Sequence, residues 1–361
     1  MSDSIRVGMI GCGRIADVHL SGIQAHPRAE LTALCDTSTQ TLEWRARDWN
    51  VAKTATDYRQ LLDDPDIDAV VLLTPHHVHC TQVVDALEAG KHVAVEKPVA
   101  LTLDEVDRMI AAEKASGKVC QCSDNFRFFP PFVKAAEIVK SGVIGDPVSL
   151  RYLFCRADFQ HGWAAEEMDT WRSDPAKIGG GWVTFDVGYH AYSLTHLIVG
   201  PVRTVSAWPR IEPGNPDREQ PHTVMWTSVE YPKFHGMFEF VDAPELYIET
   251  DKYPIRDQLE IFGTKGNILV PTQYKSYRHG APLEVYVDRQ NIQYNDIDNR
   301  WEAGFSDQMI NFLNAIEGTT QPAWNMADSR RILQMAHAVG AAASSGQEVE
   351  VGSVKSKEEM Q

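Results

Sequence analysis

Residues 6–16 read Arg-Val-Gly-Met-Ile and then Gly11-Cys12-Gly13-Arg14-Ile15-Ala16. The first five make the apolar run of a buried strand. The next six are Gly-x-Gly-x-x-Ala, the dinucleotide fingerprint with alanine in the last glycine's place. Glycine at the first two positions permits a tight turn and lets a pyrophosphate approach the backbone. The helix that follows offers its N-terminal amides to the phosphates. Alone the pattern is weak, and its surroundings give it weight. A helical segment runs from Ala16 to Gln24, and a second strand runs from Glu30 to Cys35. Asp36 ends that strand about 20 residues past the glycines, where a carboxylate binds the ribose hydroxyls. An acid there repels a 2′-phosphate, so NAD is expected over NADP. Thr37 and Ser38 still leave room for the phosphate. Asp36 as a helix N-cap is compatible with this role.

The same alternation continues outward. Asp68 to Thr74 is a near-continuous apolar strand, as parallel sheets covered on both faces require. Past Pro75 come His76, His77 and His79, then a helix to Ala89 closed by Gly90. Three histidines in four residues invite a metal, but no Cys or carboxylate set completes a site. This loop is expected to lie over the cofactor. His92-Val-Ala-Val-Glu96 is the next strand, stopped by Lys97-Pro98 because proline cannot donate to a ladder. A lysine at the carboxyl end of such a strand faces the ligand crevice. Lys97 is therefore either an active-site cation or a solvated strand-end charge. Thr102 to Glu105 is a capping box opening a helix to Ser116, which Gly117 ends. Lys118 to Ser123 is a further strand, and Asn125-Phe126-Arg127-Phe128 leaves the sheet. Residues 1–125 thus predict a doubly wound Rossmann domain.

Beyond Pro130-Pro131 the texture changes. A helix from Phe132 to Lys140 precedes β-rich segments at 148–155, 202–208, 223–231, 236–241, 258–262 and 283–288. Their spacing suggests a large, mainly antiparallel sheet with one face on helices. Helical apolar spacing returns at 305–316 and 327–343. Residues 126–361 therefore predict an α+β domain, and the charged tail from Lys355 is expected to fray. Within it lies Gly179-Gly180-Gly181, followed by Asp186 and His190. Four residues apart on a helix, these two share a face, and the carboxylate could hold the imidazole's orientation. The bland alternative is His190 packed at a domain interface with Asp186 as an N-cap.

Over 361 residues, 43% hydrophobic and 23% charged, the composition is that of a soluble globular protein. Net charge of −16 argues against nucleic acid or an anionic membrane as main partner. No apolar run reaches the roughly 20 residues that span a bilayer, and the start lacks signal-peptide regions. Six cysteines, mostly inside apolar runs, read as reduced core thiols, which points to the cytoplasm.

Taken in order, the fingerprint, Thr74-Pro75-His76-His77-Val78-His79, Glu96-Lys97-Pro98 and Gly179 through His190 resemble the glucose-fructose oxidoreductase / inositol dehydrogenase / rhizopine-catabolism (Gfo/Idh/MocA) family. The resemblance spans nearly the whole chain, including Trp301, Phe305 and Asp307 in the C-terminal helices. It implies an NAD(P)-dependent oxidoreductase that oxidises a secondary hydroxyl of a sugar, cyclitol or glycoside, assembled as a homodimer or homotetramer. Lys97 would assist catalysis, His190 would be the acid/base, and Asp186 would orient substrate or histidine. Trp171-Arg172 would reach cofactor and substrate. Cofactor contacts would come from Gly11, Cys12, Gly13, Arg14, Ile15, Asp36, Thr37, Thr74, Pro75, His76, His79, Glu96, Lys97 and Asn125. His76 stands where the family often has asparagine, and residues 158–168 look particular to this chain. Two other classes share the fold: glycosidases that use NAD as a transient oxidant, and non-catalytic dinucleotide sensors.

Overall fold

The computed structural model describes residues 4–157, 171–212, 215–248, 253–271 and 280–360. It divides into two compact units, Met1–Asn125 with Gly304–Arg330, and Phe126–Ala303 with Arg331–Gln361.

In the first unit strands and helices alternate: β1 (Ile5–Ile10), α1 (Ile15–Ala25), β2 (Ala29–Cys35), α2 (Thr39–Asp48), β3 (Lys53–Ala55), the single turn α3 (Arg59–Leu62), β4 (Ala69–Leu72), α4 (His76–Glu88), β5 (His92–Glu96), α5 (Leu103–Ser116) and β6 (Cys120–Ser123). Among the described residues the strands form one parallel sheet in the order β3-β2-β1-β4-β5-β6. The chain winds outward from β1 to β3, then returns to β4 and winds the other way. The reversal lies between β1 and β4, and a crevice forms at their carboxyl ends. The apolar runs are buried on both faces, with β4 buried throughout. Thr102 and Glu105 make the expected capping box, and Gly117 ends α5 in the left-handed region at φ 64°.

The second unit contains α6 (Pro130–Ser141), β7 (Pro147–Arg156), α7 (Pro175–Ile178), a π-helical segment (Trp182–Val187), α8 (Gly188–Val199), β8 (Val202–Glu212), β9 (Asn215–Ser228), β10 (His235–Asp242), β11 (Ile255–Gly263), β12 (Gly266–Val270), β13 (Leu283–Val287) and β14 (Gln290–Tyr294). The helices α9 (Trp301–Ile316) and α10 (Met326–Ser345) and the short β15 (Val349–Glu350) follow. The described strands form a sheet ordered β14-β13-β12-β11-β7-β10-β9-β8-β15. Its pairs are antiparallel except β7 with β10. The α/β plus mainly antiparallel α+β architecture is the expected one.

Two expectations are corrected. Residues 304–330, assigned above to the second domain, count with the first unit. Met309, Phe312 and Leu313 of α9 are fully buried in one core with Val7, Met9, Ala16, Ile23 and Val71. Full burial of such a side chain contributes about 1.5–3 kcal/mol. The Gln121 side chain also donates to the Gln308 carbonyl (2.9 Å), and the Cys122 amide to that of Trp324 (3.0 Å). The tail, for its part, makes a short 3₁₀ turn at Glu358–Met360, with Ser356 buried and its amide on Glu359 (2.9 Å).

Candidate active site

The fingerprint forms the turn between β1 and α1. Gly11 adopts φ +90°, and a Cβ there would come within 2.6 Å of the Leu73 carbonyl oxygen. Only glycine fits. A Cβ on Gly13 would meet nothing within 4 Å, so this side of the loop is open. That opening, beside the amides that begin α1, suits a pyrophosphate. The Asp36 carboxylate accepts the Cys12 amide (2.8 Å) and the Ser38 amide (2.9 Å). Ser38, not Asp36, is the N-cap of α2, its hydroxyl accepting the Thr41 amide. Asp36 thus braces the glycine loop from the position where a ribose would lie. Burial pushes the Cys12 thiol up to about 12, which keeps it inert.

Arg45, which sequence reasoning passed over, lies beneath this loop and is 2% exposed. It donates to the carbonyls of Cys12 and Gly13 (3.2 Å each) and forks onto Asp17 (2.6 and 2.8 Å). Its guanidinium also packs over the rings of Trp44 (3.9 Å) and Trp49 (4.5 Å). With those carbonyls held below, the loop's amides are left to face a ligand.

His76, His77 and His79 open α4 and form no loop; Pro75 precedes them in extended conformation. His76 is 3% exposed. His79 is fully buried, with Nδ1 on the Pro98 carbonyl (2.9 Å) and Nε2 on that of Thr74 (2.8 Å). Burial holds its pKa below the ordinary imidazole range, against the pull of the two carbonyls. Both ring nitrogens lie against backbone carbonyls, and a neutral imidazole donates to only one of them at a time. His79 ties the end of β4 to the end of β5. Thr74 donates its hydroxyl to Gln82 (2.6 Å). Lys97 is half-buried at the end of β5, its amide shared between Glu96 Oε2 (3.1 Å) and the Ser123 carbonyl (3.3 Å). Asn125 is 3% exposed, and its amide nitrogen and the Ser123 hydroxyl are buried without a hydrogen-bond partner among the described residues. Such orphaned groups at strand ends fit a site made to be filled. Arg14, Ile15 and Thr37 lie in the same turns, at the start of α1 and just after Asp36.

In the second unit the glycine run leads into the π-helical segment, and π-helical turns often mark functional sites. Gly181 has φ +107°, and a Cβ on Gly180 would collide with the Phe185 ring. The extra residue per turn corrects the simple α-helical spacing assumed for Asp186 and His190. Asp186 is 5% exposed, and its Oδ2 pairs with Arg172 Nε at 3.0 Å. It does not cap α8, whose N-cap is Val187. Arg172 in turn lies over the Trp171 ring at 4.5 Å. The His190 ring stacks on Phe126, 4.2 Å between centroids and 18° between planes. A partly exposed imidazole on a buried aromatic face, four residues past a carboxylate held by a guanidinium, can exchange a proton. The segment 158–168 falls outside the described residues.

A crevice at the switch point of a parallel sheet, entered by a glycine fingerprint and flanked by a half-buried lysine, defines a dinucleotide-binding enzyme. Residues 5–123 match the family model described as "Oxidoreductase family, NAD-binding Rossmann fold". Residues 136–351 match its "Oxidoreductase family, C-terminal alpha/beta domain". The chain belongs to the Gfo/Idh/MocA oxidoreductase family, and its first unit carries the NAD-binding fold. It is 27% identical to an uncharacterized oxidoreductase, YrbE, of Bacillus subtilis (strain 168), over 89% of each chain. It is 28% identical to the scyllo-inositol 2-dehydrogenase (NAD(+)) of the same organism, over 75% of each. Among solved structures, levoglucosan dehydrogenase in complex with NADH and levoglucosan superposes with a TM-score of 0.79, covering 96% of this chain and 99% of that one at 22% identity. At that identity the likeness shows the fold alone.

Proposed function

We propose that the protein is an NAD-dependent dehydrogenase oxidising a secondary hydroxyl of a sugar, cyclitol or glycoside to a ketone. The observation that carries this is the half-buried Lys97 at the carboxyl end of β5, in the sheet whose first strand ends in the open fingerprint loop. The names of two relatives, a scyllo-inositol 2-dehydrogenase and a levoglucosan dehydrogenase, support the substrate class. Gly11, Cys12, Gly13, Arg14 and Ile15 would hold the pyrophosphate, and Asp36 with Thr37 the adenosine ribose. Thr74, Pro75, His76, Glu96 and Asn125 would line the path toward the nicotinamide.

NAD⁺, when bound, would supply the hydride acceptor for the carbinol hydrogen. His190 takes the hydroxyl proton as the C–O bond gains double-bond character. Lys97 donates a hydrogen bond to the same oxygen and stabilises the alkoxide charge that develops there. Asp186, fixed by Arg172, accepts from a neighbouring substrate hydroxyl, and Trp171 offers a ring face to the sugar.

The test follows NADH absorbance against a panel of sugars, cyclitols and glycosides. A dehydrogenase accumulates NADH in step with oxidised sugar. Release of aglycone without NADH would make it a glycosidase with transient oxidation, and NAD binding without turnover would make it a sensor. Lys97→Ala and His190→Ala should each lower kcat by roughly 10²- to 10⁴-fold. Near-normal turnover in His190→Ala removes it as the base. We also propose a cytoplasmic location, in keeping with six free buried cysteines, and a homodimer or homotetramer built on the outer sheet face.

A further inference from the structure

We propose that His19, a residue of α1 with no role in the chemistry above, is a positioning residue for Lys97 and acts through Glu96. The inference rests on the assignment of Lys97 to proton chemistry.

His19 lies one helical turn past the fingerprint and is fully buried. Its Nε2 is 2.7 Å from Glu96 Oε1, and the Glu96 side chain is 12% exposed. The other carboxylate oxygen, Oε2, accepts the Lys97 amide at 3.1 Å. One carboxylate therefore joins the helix that begins at the pyrophosphate loop to the backbone of the lysine. Phe305 closes over the imidazole edge-on, with 5.3 Å between centroids and 75° between planes.

The protonation pattern follows from the far side of the ring. His19 Nδ1 is buried and has no hydrogen-bond partner among the described residues. A proton there would be a donor sealed from water with no acceptor, which burial disfavours. The proton therefore sits on Nε2 and points at Glu96, which leaves Glu96 as acceptor on both oxygens. Held from two sides, the carboxylate cannot rotate to follow solvent or the lysine's own ammonium. It fixes the point from which the Lys97 side chain starts, and it sets that point in register with the helix that presents amides to the cofactor. Positional errors of about 1 Å at reacting groups cost on the order of 10²-fold in rate. His19 thus serves kcat and leaves NAD affinity to the loop.

The test compares His19→Leu, His19→Gln, Glu96→Gln, Lys97→Ala and the double variant His19→Leu/Lys97→Ala, with the substrate found in the panel above and with NAD titrations. His19→Leu should lower kcat about 10- to 100-fold with NAD Kd within about threefold of wild type. His19→Gln, whose amide Nε2–H stands the same number of bonds from Cα as the imidazole Nε2–H, should recover most of kcat. The double variant should be no slower than Lys97→Ala, because His19 acts only through that lysine. Wild-type kcat in His19→Leu, failure of the glutamine to restore more than the leucine, or multiplying losses in the double variant would each overturn the proposal. Should His19→Leu fail to bind NAD, Glu96→Gln takes its place in the same cycle. It sets an amide donor against either the His19 or the Lys97 N–H, and it must show the same non-additive loss. Long-range ¹H–¹⁵N spectra of the substrate-free enzyme should show His19 protonated on Nε2 alone, and a proton on Nδ1 refutes the geometry. If Lys97→Ala itself turns over normally, the failure lies with the role of Lys97, a result distinguishable from all of these.

Discussion

Asp36 has two tasks at the end of β2. Its carboxylate would repel a 2′-phosphate by charge, and it holds the glycine loop by accepting the Cys12 amide at 2.8 Å. Asp36→Ala should therefore narrow the preference for NAD over NADP while weakening both, since the loop loses an acceptor. Fluorescence titration with the two cofactors checks this, and a wild type that favours NADP would refute the charge argument. Arg45 works on the same loop from below. Arg45→Met leaves the carbonyls of Cys12 and Gly13 without donors and Asp17 without its fork. NAD Kd should rise about tenfold and stability should fall by about 1–3 kcal/mol, read by titration and thermal unfolding. Asp36 stood out because its spacing after the glycines marks the ribose position of the fingerprint. Arg45 did not, because nothing in the order of residues says that a side chain of α2 reaches back under the turn. The histidines drew attention by their grouping, which does not say that the His79 ring lies against the backbone carbonyls of Thr74 and Pro98.

Elements with a continuous apolar run or an alternating face were easy to place, and those with neither were missed. β14 has no buried residue and β12 is only five residues long, so neither carried a readable pattern. The π-helical segment was invisible because apolar spacing does not distinguish it from an α-helical turn over six residues. Packing between elements sets two further expectations. A Cβ on Gly22 of α1 would stand 2.6 Å from Met309 Cβ and 2.8 Å from the Ser306 carbonyl. Gly22→Ala should thus destabilise by about 1–3 kcal/mol through overpacking, although alanine is the better helix former. Chemical denaturation would show it. At the start of β5, burial and the nearby Lys118 depress the His92 pKa to about 4, and its Nδ1 accepts the Val119 amide at 3.1 Å. The unfolded chain binds this proton near 6.5, so between 6.5 and 4 the unfolded state holds more protons than the folded one. Stability from this group is complete above 6.5 and is lost as pH falls through 4. His92→Gln should flatten that part of a plot of Tm against pH.

At the scale of the whole molecule, the outer face of the larger sheet carries Trp208, Phe262 and Tyr286, 52%, 44% and 50% exposed. Phe262 and Tyr286 flank Asn267 in one cross-strand row. A homo-oligomer covering this face would appear in light scattering at micromolar concentration, and Phe262→Glu with Tyr286→Glu should shift it toward monomer. A stable wild-type monomer would contradict the assembly proposed. The two-unit plan was legible from the change in texture after Pro130-Pro131. The return of residues 304–330 was not, since an amphipathic helix does not state which core it fills. A fragment ending at Asn125 should accordingly fail to fold cooperatively, and appending 304–330 by a flexible linker should restore NAD binding.

That return also sets a timetable. A chain made from its N-terminus completes β1 to β6 early, yet Met309, Phe312 and Leu313, which close that core, come after the 178 residues from 126 to 303. At about 5–20 residues per second, the ribosome takes on the order of 10–40 s to deliver them. Through that interval a parallel sheet with an uncovered apolar face waits outside the tunnel, open to chaperones and to other nascent chains. The nucleotide-binding half, first to be translated, is among the last to be finished.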